Sequence, residues 1–145
     1  MVPLDQTEVA PGVYYVNHPH HRDPAQRDKS QWTISRDDER DVFRLTVTRR
    51  WYLSPTGWGL HLPNGVAAYL GHARDLTDTG REARRLFVAK FIQDMGNTVW
   101  HGYPADHQRH AANVPPESLL KSWAEAGFLR WSTISKVLRG KPCSL

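Results

Sequence analysis

Apolar and polar positions along the chain change period several times, and each change predicts an element. After Pro11-Gly12, the β-prone run Val13-Tyr14-Tyr15-Val16 reads as a strand. Residues 17–29 are polar, with two prolines and three histidines, and read as a loop. Trp32-Thr33-Ile34-Ser35 alternates as a half-buried strand does, and 36–41 reads as a charged turn. Phe43, Leu45, Val47, Trp51 and Leu53 then share one parity, against Arg44, Thr46, Thr48, Arg50 and Tyr52 on the other. Period two predicts a long strand over 43–53 with a basic wet face, bulged near Arg49.

Ser54-Pro55-Thr56-Gly57 is a turn, Trp58, Leu60 and Leu62 alternate, and Pro63-Asn64-Gly65 is a hairpin signal because Asn and Gly tolerate positive φ. Residues 66–70 return as a strand. The period then lengthens. Thr79 can cap a helix over about 80–95, since Ala83, Leu86, Phe87, Phe91 and Met95 recur at three- and four-residue spacing, and Gly96-Asn97 stops it. Residues 98–101 read as a short strand and 102–114 as loop. A second helix opens at Pro115-Pro116-Glu117, runs to about 126 and ends at Gly127. A third, capped by Ser132, spans 133–139 before Gly140.

The resulting expectation is one α+β domain over 1–145: an antiparallel β-meander packed against one long helix, with a C-terminal helical hairpin over 115–140. Trp32, Trp51 and Trp58 are expected in the core, with Trp123 and Trp131 stitching the hairpin onto it.

Composition narrows the class of protein without naming an activity. Of 145 residues, 39% are hydrophobic and 23% charged, an ordinary globular balance that excludes wholesale disorder. Cys143 is the single cysteine, so no internal disulfide forms. No window carries the apolar run of a membrane span, and the first ten residues lack a signal-peptide core. A cytoplasmic protein without membrane contact is expected. The net charge of +4 is uneven: residues 1–40 hold five basic and seven acidic side chains, whereas 41–145 hold 14 and eight. An anion site is therefore expected after residue 40.

Three sets of residues could carry chemistry. Arg44, Arg50 and Tyr52 on the expected strand, Arg81, Arg84 and Arg85 at the start of the expected helix, and Lys136 and Arg139 in the hairpin are the residues expected to contact nucleic acid, with Tyr52 as a stacking group. His101, with Asp106 or His107, supplies the parts of a general acid–base site for a small hydrolase or nuclease. His18-Pro19-His20-His21 offers imidazole nitrogens, but the spacing does not meet a zinc ligand set, so no metal or cofactor is expected. A homo-oligomeric interaction module is the third expectation. No P-loop, Rossmann glycine fingerprint, Cys-x-x-Cys pair or His-Glu-x-x-His occurs.

Two segments resemble known families. Residues 123–140, closing on Ser132-Thr133-Ile134-Ser135-Lys136-Val137-Leu138-Arg139-Gly140, resemble the helix-turn-helix of phage-repressor-like DNA-binding domains. The interval from Ala124 to Gly127 is one residue shorter than that pattern, and the turn after Gly127 is one longer. The resemblance implies DNA contact by the last helix; an amphipathic hairpin packed on the sheet fits the same residues. Separately, Trp100-His101-Gly102-Tyr103-Pro104, followed by a proline-started helix and a closing Arg-Gly-x-x-Cys, resembles the C-terminal half of a group of small bacterial proteins. That likeness implies that the turn and the helical pair form one packed unit, and it transfers no catalytic residue.

Overall fold

A computed structural model describes residues 6–26, 28–73, 84–94, 96 and 98–145. It is an α+β fold. Strands β1 (Gln6–Ala10) and β2 (Val13–Val16) form a hairpin, and β3 (Gln31–Trp32) precedes helix α1 (Arg36–Thr48). Strands β4 (Tyr52–Leu53), β5 (Thr56–Leu60), β6 (Gly71–His72), β7 (Arg85–Leu86), β8 (Val88–Gln93) and β9 (Val99–Pro104) follow. Helices α2 (Glu117–Glu125) and α3 (Trp131–Leu138) close the chain.

Six strands make one sheet in the order β1-β2-β9-β8-β5-β4, antiparallel except between β2 and β9; β3, β6 and β7 make a second, small sheet. This is three hairpins laid side by side rather than a sequential meander.

Two expected elements change identity. The strand expected over 43–53 is mostly helix. Ser35 caps α1 by accepting from the Asp38 amide at 3.0 Å, and Asp37, Asp38 and Glu39 favour the positive end of the helix dipole. Glu39, Val42, Phe43 and Thr46 then fall on one buried stripe at helical spacing. The period-two reading took Leu45 and Val47 as core, but both are half-buried flanks of that stripe. The chain leaves the helix through Arg50 at φ 57, the one described non-glycine residue with positive φ.

In place of the helix expected over 80–95, the described residues form strands β7 (Arg85–Leu86) and β8 (Val88–Gln93). Phe87, Val88, Ala89 and Phe91 are buried because β8 lies between β5 and β9, with α1 over one face and the helical pair over the Val88 end of the other, while Leu86 is buried on β7. A strand buried on both sides shows a continuous apolar run, which shares its spacing with a helix face. Thr79 and residues 80–83, Met95 and Asn97 lie outside the described residues.

The sheet register sets what each face carries. Tyr15, Trp100, Phe91 and Ala89 pack with Val42 and Phe43 of α1 on one face. Helix α1 comes close because Gly59 has no side chain; a Cβ there would sit 2.5 Å from Thr46 Oγ1 and 2.9 Å from Val42 Cγ1. Trp58, Leu60 and Val88 point to the other face, where Leu120, Trp123, Ile134 and Val137 of the helical pair cover one end. Trp123 is fully buried, with the Trp51 ring 5.5 Å away edge to face. Trp131, expected to join this packing, is 54% exposed, because Arg130 occupies the N-cap and α3 buries Thr133, Ile134 and Val137 instead.

Candidate nucleic-acid interface

The helical pair covers only part of the second sheet face. The remainder is half-exposed and shows two cross-strand rows. Paired residues project to the same side of a sheet. Trp58 pairs with Lys90 and Lys90 with Tyr103; Thr56 pairs with Ile92 and Ile92 with His101.

At the α2 end of this surface lies a groove of about 860 Å³. The β4–β5 hairpin forms one wall, with Trp51 and Leu53, the latter 86% exposed; Trp58 and Lys90 form the floor. Val114, Pro116 and Leu119 form the opposite wall, and Ser54, Thr56, Ser118 and Ser122 supply hydroxyls. Among the described residues no carboxylate lines the groove.

Lys90 is the unusual group. Its Nζ donates to the Ala112 carbonyl at 2.6 Å and stands 5.2 Å from the centre of the Trp58 ring. Burial lowers its pKa, since a desolvated ammonium is disfavoured. Among the described residues neither Lys90 nor Arg50, which borders the groove, has a carboxylate partner.

The expected basic residues do not form one face. Arg44 lies on α1, on the far side of the sheet, paired with Asp41 one helical turn away, so it shares no strand face with Arg50 and Tyr52. Tyr52 borders the groove, but its partner is Gly57, and its ring turns to the α1 side to meet the Trp100 edge at 6.0 Å. Arg84 pairs through two nitrogens with Asp106, at 2.8 and 2.5 Å. Arg85 lies over the Tyr69 ring at 4.1 Å. Lys136 and Arg139 lie on the exposed face of α3, where Arg139 bonds back to Ser135. Arg81 lies outside the described residues.

His101, Asp106 and His107 do not share a hydrogen bond. The Asp106 carboxylate is taken by Arg84 and by the Gln108 amide at 3.1 Å. His107 is buried, with Nε2 2.9 Å from the Lys141 carbonyl and the Cys143 sulfur 3.8 Å away. His101 instead meets Asp94, Nδ1 to Oδ1 at 3.3 Å, across the β8–β9 turn.

A second group of histidines joins His101 from the loop over 17–29. His18-Pro19-His20-His21 winds into a 3-10 turn, Pro19–His21. The His18 ring lies 4.3 Å from His20 and 5.9 Å from His101, and His21 stacks on Tyr103 at 5.2 Å. Burial and the neighbouring imidazoles lower the His18 pKa; burial chiefly lowers that of His21. Among the described residues no three such donors converge closely enough to hold a metal ion.

The loop is moored from below. Arg22 donates to Glu39 Oε1 through Nε at 3.1 Å and Nη2 at 2.8 Å, and to the Ile34 carbonyl at 2.8 Å. The Tyr15 hydroxyl donates to the other Glu39 oxygen. Burial pushes the Glu39 carboxyl up, against the opposing pull of Tyr15 and Arg22. Ser30 Oγ donates to the Pro104 carbonyl at 2.7 Å, tying the loop's far end to β9.

The arrangement defines a surface class, an open sheet face ending in an apolar groove. No protein-family model, curated protein or solved structure matches the chain. Among the described residues, no helix is long and apolar enough to cross a membrane.

Proposed function

We propose that the protein binds single-stranded nucleic acid in the groove between the β4–β5 hairpin and α2. The observation that carries this reading is Lys90, a half-buried ammonium in the floor of a groove where, among the described residues, it has no counter-ion and no carboxylate lines the walls. Such a group gains most from an anion brought to it, because its own desolvation is already incurred. Indole and aliphatic walls suit the flat apolar faces of bases, which only unpaired strands present. Arg50, Lys90 and the four hydroxyls suit phosphate and sugar.

The test is fluorescence anisotropy with a labelled oligothymidylate and a duplex of equal length. The single strand should bind more tightly, with affinity falling as salt rises. Lys90→Met should lower the slope of log affinity against log salt by about 0.7, the contribution of one phosphate contact on a single strand. Leu53→Asp, at an exposed position, should weaken binding without unfolding the protein. Absence of binding at low salt, or equal binding by Lys90→Met and Leu53→Asp, would refute the assignment. Recovery of intact oligonucleotide separates binding from hydrolysis at His101.

A further inference from the structure

The two cross-strand rows lead out of the groove. Lys90 and Thr56 line it, and their row partners are Tyr103 and, through Ile92, His101. At about 4.8 Å per strand, His101 lies two strands, or roughly 10 Å, from Thr56, a distance that a short single strand covers. At that end of the face stand His18, His20 and His101, the His18 ring lying 4.3 Å from His20 and 5.9 Å from His101.

We propose that the cluster His18, His20 and His101 is a proton-dependent phosphate subsite of the same face, occupied by the strand that enters the groove. The inference rests on the groove reading and adds to it a position, a ligand group and a pH dependence. Its basis is electrostatic. Three imidazoles at these separations resist joint protonation, because each charge raises the cost of the next. A phosphate among them removes that cost, so anion binding and proton uptake reinforce each other.

The charged neighbours permit this. Asp94, from the β8–β9 turn, meets His101 and also favours the charged form of His18, so one carboxylate serves two imidazoles. On the loop side stand His21 and Lys29; Lys29, His18 and His101 each disfavour protonation of His21. On β2, Tyr14 pairs with Val99, two residues before His101 on β9, and with Glu8 of β1. The His101 side chain is 29% exposed, and His20 is exposed, so a ligand can reach them. Metal capture by the same imidazoles is disfavoured because their donors do not converge.

Oligothymidylate is the probe, since its bases do not titrate between pH 5.5 and 8.0. At constant ionic strength, affinity for the wild-type protein should rise about tenfold from pH 8.0 to pH 5.5, the combined effect of several partly exposed ion pairs. The double variant His18→Gln, His101→Gln should show a flat profile. On the wild-type protein, the His18 and His101 ring-proton resonances should titrate at higher pH with the oligonucleotide bound. Equal wild-type affinity at both pH values, or unshifted His titrations in the complex, overturns the subsite while leaving the groove standing. A pH gain that persists in the double variant also overturns it. No binding at either pH overturns both.

Discussion

Replacing Arg22 with alanine isolates the contact that moors the histidine loop. Arg22 makes three hydrogen bonds, two to Glu39 Oε1 and one to the Ile34 carbonyl. The Glu39 side chain is fully buried, so Arg22→Ala leaves a carboxylate inside the protein with hydrogen bonds from Tyr15 and Asn17 but without the guanidinium charge. Removing one partner of a buried ion pair costs about 3–5 kcal/mol. Arg22 is 16% exposed and keeps part of its hydration, which places the expected loss near 3 kcal/mol.

Urea denaturation at pH 7 with an unchanged slope measures the loss. Arg22→Ala combined with Glu39→Gln should recover at least about 1 kcal/mol relative to the sum of the single variants, because the amide carries no stranded charge. The pH dependence has a definite sign. Burial holds the Glu39 carboxyl above its unfolded value of 4.5, so its protonated form favours the fold, and stability falls as pH rises through the folded-state pKa. Without Arg22 that pKa climbs further, so the penalty of Arg22→Ala should shrink as pH falls towards 5. A loss below about 1 kcal/mol at pH 7, or strict additivity in the double variant, would refute the buried-pair account.

Two further expectations concern packing. Gly59→Ala drives a methyl into Thr46 Oγ1 and Val42 Cγ1 and should destabilise the protein by about 1–3 kcal/mol in thermal or urea unfolding. Trp131→Ser, at a residue 54% exposed, should change stability by less than about 0.5 kcal/mol, despite removing the largest side chain type.

The terminal helices illustrate what local chemistry can announce. Pro115-Pro116-Glu117 opens α2, and Gly127 and Gly140 end α2 and α3 at φ 81 and 64. Each signal acts within a turn of its own position. The α1 segment carried an equally local signal, the Ser35 cap with Asp38 three residues on, but the parity of Phe43, Leu45 and Val47 imitated a strand. For β8 no local signal distinguishes the alternatives. Residues 86–91 are apolar enough for a helix or a doubly covered strand, and the choice follows from neighbours β5 and β9.

Sequence alone determined the α+β character, the early hairpin strand and the helical pair, because caps, turns and periodicity are properties of a few adjacent residues. Tertiary structure decided which cluster member meets which. It gave His101 the Asp94 carboxylate rather than Asp106, tied Asp106 to Arg84, turned the Tyr52 ring towards Trp100 and left Lys90 in the groove without a counter-ion among the described residues. Those outcomes depend on strand register and on burial by residues distant in the chain, and such long-range pairing leaves no periodic mark on the sequence.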